Sequence, residues 1–151
     1  MALSDDIRLL SEVPLFQGLD EDQLRLVAFG AERRNVSKGQ ELFRERSPAE
    51  CAFVVARGRI DLYTEGRDGI ADLSRSVGPG TLLSELALVT MVERKFTAIA
   101  AEDGEVLRIA RTLFHRLLEE YPSVAAVLQE RIRQNLARLA AEALAQQHRF
   151  A

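Results

Sequence analysis

The sequence predicts an α+β fold that is mainly β, an antiparallel β-barrel or jelly roll flanked by N-terminal helices and a long C-terminal helix. Three observations predict it. Apolar residues have helical spacing within 1–30, short strand-forming runs alternate with turn residues within 31–110, and helical spacing returns within 111–148. With 151 residues the chain has the length of one compact domain, so we expect a single domain, 1–151.

The N-terminal region, 1–30, predicts two helices. Ser4 is expected to cap the first, because a serine hydroxyl can accept a hydrogen bond from the free amides of a first turn. The apolar segment 14–18 begins with proline and ends with glycine, so it predicts a tight turn. Asp20 followed by Gln23 resembles a capping box that opens the second helix, and Gly30 is its expected end.

The central region, 31–110, predicts many short strands, because runs of β-branched and other apolar residues are bounded by Ser, Gly, Pro and Asp. The predicted strands are 33–36, 40–44, 52–56, 59–64, 70–77, 96–100 and 105–110. Between the fifth and sixth strands, Ser84 is expected to cap a one-turn helix over 85–88.

The C-terminal region, 111–148, predicts two helices separated by the Tyr-Pro pair at 121–122. Thr112 is expected to cap the first and Ser123 the second, which should extend to about His148. The apolar residues of the long helix recur at spacings of three and four: Val124, Leu128, Ile132, Leu136, Leu139 and Ala143. Such a stripe either pairs with a second copy, giving a homodimer, or docks on the barrel of its own chain.

Composition excludes several classes of protein. The chain has 20 basic and 23 acidic residues, a balance that argues against direct nucleic-acid binding, and Arg131, Arg133 and Arg138 are interpreted as a solvated helix face. No apolar run approaches the 18 residues of a membrane helix, and the acidic N-terminus is unlike a signal peptide. We therefore expect a cytoplasmic protein without a membrane partner.

Catalytic and metal-binding motifs are not found, so we expect neither an enzyme, nor a metal, nor a cofactor. His115 is interpreted as a packed or half-exposed helix residue, and His148 lies in the C-terminal tail. The single cysteine, Cys51, is interpreted as a small core residue.

The segment 83–97 is the most informative part of the sequence. The start of a short helix exposes amides that can bind an anion, and Arg94 carries a planar fork suited to phosphate oxygens. Glu85 offers a carboxylate to a sugar hydroxyl, so the segment is compatible with a pocket for a ribose-linked phosphate. The alternative is a short surface helix with a solvated arginine, and the bare residues favour this alternative.

The order of elements and four segments together resemble one family, the cyclic nucleotide-binding domain of catabolite-activator-type regulators and of cAMP-dependent kinase regulatory subunits. The segment 13–19 is similar to the motif before the family's first substantial helix, and 39–45 to its early barrel strand. The segment 53–60 is similar to its strand–glycine–strand hairpin, and 84–97 lies where the family has its phosphate-binding cassette.

The resemblance implies that Glu85 accepts the ribose 2′-hydroxyl and that Arg94 pairs with the cyclic phosphate. The implied ligand-binding residues, which include main-chain amides of the cradle, are Glu85, Leu86, Ala87, Arg94, Lys95 and Thr97. It also implies cAMP rather than cGMP, because the hydroxyl that often favours cGMP would directly follow the arginine, where Lys95 has none.

The resemblance further implies that the C-terminal helix closes over the base or pairs with a second subunit, with Arg131 and Asn135 as candidate base contacts. Related regulators carry a helix-turn-helix after this helix, whereas the sequence ends at Ala151. We therefore expect no such DNA-binding motif in these 151 residues, and if they are part of a larger protein, the output domain lies outside them.

Three departures from the family pattern bear on ligand binding. Ser84 stands where a glycine usually precedes the glutamate, 95–96 carries Lys-Phe instead of small residues, and 46–47 carries Arg-Ser where Gly-Asp is common. Phe96 either occupies the purine space or points into the barrel by strand alternation. The alternative function is therefore a degenerate module that binds no nucleotide and acts through protein contact or dimerisation by its C-terminal helix.

Overall fold

The computed structural model describes residues 2–66 and 68–150, with only the backbone described for residue 2 and for 139–150. The predictions for the side chains of Leu139, Ala143 and His148 therefore lie outside the described residues. Helix α1 (Ala2–Ser11) leads through a 3-10 turn (Pro14–Phe16) to helix α2 (Glu21–Gly30). Helix α3 (Arg111–Glu120) and helix α4 (Pro122–Phe150) follow the strands.

The strands of the central region are antiparallel. They are β1 (Glu32–Val36), β2 (Glu41–Phe43), β3 (Pro48–Ala49), β4 (Cys51–Arg57), β5 (Ile60–Glu65), β6 (Ala71–Val77), β7 (Leu82–Leu83), β8 (Val92–Glu93), β9 (Thr97–Ala100) and β10 (Gly104–Ala110). One four-stranded sheet has the order β1-β10-β4-β7, a second has the order β2-β9-β5-β6, and β3 pairs with β8. The mainly-β fold predicted from the sequence is confirmed, in the form of two packed sheets.

Two hydrophobic clusters lie on opposite faces of β4, whose side chains alternate between them. Phe53 and Val55 belong to an inner cluster between the two sheets, together with residues of both sheets such as Leu62 and Ala98. Val54 belongs to an outer cluster between the first sheet and the helices. The β4 strand is therefore buried on both faces, and the helices pack against one side of the β-sandwich.

The start of α2 follows the sequence prediction. The Asp20 carboxylate accepts a hydrogen bond from the Gln23 amide and the Gln23 side chain accepts one from the Asp20 amide, both at 2.9 Å, so the capping box is confirmed. The helix ends at Gly30, as predicted. Helix α1 begins at Ala2, so the prediction that Ser4 caps it is wrong because Ser4 lies within the first turn.

The predicted caps of the C-terminal helices are also wrong. Helix α3 begins at Arg111, directly after β10, and has no side-chain cap, so Thr112 lies inside it. Helix α4 begins at Pro122, which needs no amide partner in a first turn, and Ser123 is its second residue. His115 is exposed rather than packed, because the buried face of α3 carries its neighbours Phe114 and Leu117.

Helix α4 docks on its own chain over its described side chains. Leu128 and Ile132 are buried in the outer cluster, whereas Leu136 is 45% exposed. Of the two alternatives for the apolar stripe, docking is therefore what the structure shows for its central residues. None of the described helices is both long and apolar enough to cross a membrane.

Candidate functional site

The segment 83–97 connects β7 to β9 and contains the predicted short helix. Residues Glu85–Leu88 form a 3-10 helix, which we call the cassette helix. Ser84 precedes it with φ 67° and ψ 46°, in the left-handed region, and its side chain forms no capping hydrogen bond. The predicted Ser84 cap is therefore wrong, because a left-handed residue does not aim its hydroxyl at the following amides as an extended N-cap does.

Glu85 contacts the long C-terminal helix. Its two carboxylate oxygens accept hydrogen bonds from the Asn135 side-chain amide at 3.1 and 2.9 Å. Burial raises the pKa of Glu85 above its ordinary value, although the hydrogen bond from Asn135 and the charge of Arg138 oppose the shift. The carboxylate that the resemblance assigns to a sugar hydroxyl thus accepts hydrogen bonds from a residue of α4.

Arg94 lies inside the β-sandwich, so the alternative of a solvated arginine is wrong. It is only 6% exposed, and its guanidinium lies 4.6 Å from the ring centroid of Phe43 and 5.5 Å from that of Phe53. Its Nη1 donates to the Cys51 carbonyl oxygen at 2.8 Å and its Nη2 to the Cys51 sulfur at 3.3 Å. Its Nε is buried with no hydrogen-bond partner among the described residues.

The structure does not bring the Glu85 carboxylate and the Arg94 guanidinium together. Glu85 faces α4, whereas Arg94 faces Cys51 in the interior of the sandwich, and the described residues form no salt bridge with either side chain. Cys51 itself is buried, as predicted for a small core residue. The two side chains predicted to contact a ligand therefore have different partners, Asn135 for Glu85 and Cys51 for Arg94.

The remaining predicted ligand residues are dispersed around this segment. The Ala87 amide donates to the Ser84 carbonyl oxygen at 3.0 Å, within the turn of the cassette helix, and Leu86 packs against the outer cluster. Lys95 is exposed. The Thr97 hydroxyl accepts a hydrogen bond from the Glu45 amide at 3.0 Å. Their roles toward a ligand stay predictions.

The Phe96 side chain packs against the inner cluster, to which Ala98 and Ala100 belong. The three residues are two positions apart, so strand alternation puts their side chains on the same face. Of the two alternatives for this side chain, the structure shows the one in which it points into the sandwich. Phe43 and Phe53 stack there with ring centroids 5.9 Å apart. Aromatic side chains and Arg94 therefore share the interior next to the cassette.

Two surface depressions are lined by residues other than Glu85 and Arg94. One, with a volume of about 410 Å³, is lined by polar residues that include Arg44, Tyr63 and Thr97. The other, of about 360 Å³, lies beside the exposed Phe29. Within 2–66 and 68–150, no group of three His, Cys, Asp or Glu residues is placed to hold a metal ion.

The candidate base contacts on α4 have other partners in this structure. Arg131 donates through Nη1 to the carbonyl oxygens of Leu15 at 2.9 Å and Gln17 at 2.6 Å, so it fastens α4 to the N-terminal 3-10 turn and is not part of a solvated face. Asn135 contacts Glu85. Sequence reasoning had singled out both residues, yet it could not find their partners, because these lie 50 positions away for Asn135 and 114 and 116 positions away for Arg131.

Sequence reasoning missed Arg111 entirely. Its guanidinium lies beside the cassette helix and donates to main-chain carbonyl oxygens. An arginine at the start of a helix carries no sequence signal for such contacts, because the acceptors are backbone atoms whose positions depend on the tertiary fold.

Comparison with known proteins defines the class. The family described as the cyclic nucleotide-binding domain matches residues 33–121, which is more than half of the chain. The chain therefore belongs to the cyclic nucleotide-binding domain family, a family of regulatory domains, and the resemblance noted in the sequence is confirmed.

Individual relatives come from different kinds of protein. The chain is 35% identical over 104 residues to the cAMP-dependent protein kinase regulatory subunit of Eremothecium gossypii, covering 69% of this chain and 22% of that protein. It is 30% identical over 125 residues to the cyclic AMP receptor protein of Thermus thermophilus, covering 80% of this chain and 58% of that protein. The chain thus spans less than two thirds of these relatives.

A solved structure shows the same fold. A cyclic nucleotide-binding-like protein from Brucella abortus superimposes with a TM-score of 0.70 at 47% identity. The match covers 76% of this chain and 98% of that one. The β-sandwich with flanking helices is therefore an architecture that this relative shares.

Proposed function

We propose that this chain is a regulatory sensor module that binds a cyclic nucleotide at the segment 84–97 and responds by repositioning α4. The ligand is cAMP in preference to cGMP. The proposal assigns no catalytic step to the chain, and it places the module in the cytoplasm, where it would act on an output domain or protein.

The observation that carries the proposal is the burial of Arg94 with one side-chain nitrogen that has no described partner. A buried guanidinium with an unpartnered Nε is costly, because a buried polar group without a hydrogen bond has lost its solvation without compensation. A phosphate would supply the missing acceptor and the opposite charge. The resemblance noted in the sequence implies that Arg94 corresponds to the family's phosphate-binding arginine, so a cyclic phosphate is the ligand that best fits this group.

The proposed response follows from the partner of Glu85. A ribose 2′-hydroxyl at Glu85 would compete with Asn135 for the same carboxylate oxygens. Loss of that contact would weaken the attachment of α4, and the ligand would shift the helix by its differential affinity for the two positions. Ligand binding and helix position would thus be coupled through one carboxylate.

The preference for cAMP rests on Lys95 and on the relatives. Lys95 carries no hydroxyl beside Arg94, and two relatives are named for cAMP dependence or cAMP reception. The test is a thermal melt of nucleotide-stripped protein with and without each nucleotide, beside Arg94→Ala and the matched variant Arg116→Ala, whose arginine is 66% exposed.

At 100 times its dissociation constant a ligand adds about 2.7 kcal/mol to stability, which corresponds to a rise in Tm of roughly 5–10 °C for a domain of this size. We expect this rise with cAMP in the wild type and in Arg116→Ala, and none in Arg94→Ala. An equal rise in Arg94→Ala would refute the role of Arg94.

A second candidate is a module that binds no nucleotide and acts through protein contact. The observation that favours it is the aromatic packing in the interior, because the rings of Phe43 and Phe53 lie 4.6 and 5.5 Å from the Arg94 guanidinium and Phe96 packs against the same cluster. Dimerisation by α4 receives less support, since Leu128 and Ile132 are already buried within the chain. A cooperative melt with no shift from either nucleotide would favour this candidate.

A further inference from the structure

Arg111, the first residue of α3, holds several separate pieces of main chain. Its Nε donates to the Ala87 carbonyl oxygen at 2.8 Å, and its Nη2 to those of Ala49 at 2.6 Å and Thr90 at 3.1 Å. Its Nη1 donates to the Met91 sulfur at 3.1 Å. All three of its nitrogens therefore have acceptors within the chain.

These acceptors have one feature in common, their relation to the segment between Glu85 and Arg94. Ala87 belongs to the cassette helix, and Thr90 lies in the loop after it. Ala49 belongs to β3, whose pairing with Val92 of β8 sets the strand just before Arg94. One guanidinium thus fixes the segment at its helical end, in its loop and through its partner strand.

The contact with Ala87 also complements the C-terminal end of the cassette helix. The last carbonyl groups of a helix lack partners within it, so a cation placed there satisfies them and opposes their partial negative charge. Arg111 fills this role at Ala87, and its own amide donates to the Glu50 carbonyl oxygen at 3.0 Å. The base of α3 is therefore tied to both β3 and the cassette.

We infer that Arg111 is the positioning residue of the cassette, which sets the separation and orientation of Glu85 and Arg94 for a ligand without touching the ligand itself. The inference rests on the proposed function for its binding readout. A lysine cannot replace the arginine, because a single ammonium group cannot reach three carbonyl groups in the fork geometry of a guanidinium.

The test compares Arg111→Lys and Arg111→Ala with Arg116→Ala. Arg116 lies on the same helix, is 66% exposed and pairs only with Glu120 among its described contacts. Amide hydrogen exchange of the segment 85–93 is measured without ligand, with β5 as the reference within each protein. We expect exchange in 85–93 to be about tenfold faster or more in Arg111→Lys and unchanged in Arg116→Ala, given the strength of hydrogen bonds to charged groups.

Calorimetric titration with cAMP gives the second readout. Arg111→Lys is expected to weaken binding about tenfold, and Arg94→Ala is expected to add much less to that loss than it causes alone, because the effects of two residues that act through one another are not additive. A residue that only stabilised the fold would lower Tm while leaving the affinity of the folded protein and the additivity unchanged.

The outcomes separate the two proposals. If the wild type binds neither cAMP nor cGMP, the proposed function fails, and the exchange of 85–93 still decides the role of Arg111. Equal exchange in Arg111→Lys and Arg116→Ala would overturn the inference, as would an unaltered cAMP affinity in a folded Arg111→Lys. If Arg111→Ala does not fold, the lysine variant carries both readouts.

Discussion

Two residues other than glycine have positive φ angles within the described chain, Arg46 at 71° and Ser84 at 67°. Both stand where the family pattern has a glycine. Both positions therefore have the left-handed conformation that glycine adopts readily, although neither residue is a glycine. An L-residue in this region costs roughly 1–2 kcal/mol relative to a right-handed conformation, so both turns store strain.

Ser84→Gly should therefore stabilise the protein. We expect the free energy of unfolding to rise by about 0.5–1 kcal/mol, because glycine relieves the strain but loses more chain entropy on folding. Urea unfolding measures the change. Ser37→Gly is the matched control, since Ser37 lies in a turn and is not among the residues with positive φ, and it should not stabilise the protein. A decrease with Ser84→Gly would contradict the argument.

Glu85 is predicted to lower stability at neutral pH. Its pKa in the folded protein is raised from 4.5 by burial, so the folded state favours the protonated carboxyl. The contribution of this group to stability is greatest below pH 4.5 and is lost as pH rises through the folded-state pKa.

Glu85→Gln, which keeps an acceptor for Asn135, should therefore have a higher Tm than the wild type at pH 7, and the difference should diminish as pH falls toward 4.5. A Tm difference that grows on acidification would contradict the sign. The same substitution should weaken nucleotide binding, because the neutral amide is a poorer acceptor for a ribose hydroxyl.

At the scale of elements, the spacing of apolar residues and the positions of turn-forming residues were enough to predict the long strands and helices. The β4 and β10 strands lie within one residue of their predicted bounds, because both alternate between two hydrophobic clusters. Strands β3, β7 and β8 were not predicted, since two residues are too few to show alternation. Four predicted helix caps, at Ser4, Ser84, Thr112 and Ser123, were wrong. At α3 the reason is a tertiary contact, because the Arg111 amide donates to the Glu50 carbonyl oxygen and the helix begins there.

Helix α4 allows a prediction with an internal control. Leu128 is fully buried in the outer cluster, whereas Leu136, two turns further along the same helix, is 45% exposed. Leu128→Ala should cost about 2–5 kcal/mol of unfolding free energy, the range for a large-to-small change in a core. Leu136→Ala should change it by no more than about 0.5 kcal/mol, as surface substitutions usually do.

Urea unfolding at two protein concentrations tests this contrast and the role of the helix face. Equal and large costs for both variants, with stability that rises with concentration, would show that Leu136 is buried against a second copy. A small, concentration-independent effect of Leu136→Ala would leave α4 as a helix that docks on its own chain.

On the scale of the whole molecule, the hydrogen bonds of two side chains fasten α4 to other parts of the chain at separate places. Arg131 binds the 3-10 turn that precedes α2, and Asn135, about one turn further along, binds Glu85 of the cassette helix. The first contact does not involve the predicted ligand site, whereas the second uses the carboxylate that a ribose would need. If a nucleotide binds Glu85 as proposed, we expect α4 to lose its contact at Asn135 and to keep the one at Arg131.

Asn135→Ala distinguishes this coupling from a role of Asn135 in contacting the base. If Asn135 competes with the ribose for Glu85, its removal should tighten cAMP binding, by up to about tenfold for a hydrogen bond to a charged group. The apparent affinity rises because a larger fraction of the protein already has a free carboxylate. If Asn135 instead contacts the base, the same variant binds more weakly, so the two roles predict opposite signs.

Gln134→Ala, which removes only an exposed amide beside Glu130, should leave the affinity unchanged. Calorimetric titration gives the sign, and weaker binding in Asn135→Ala alone would mean that α4 responds to the nucleotide by contact with it and not by release from Glu85.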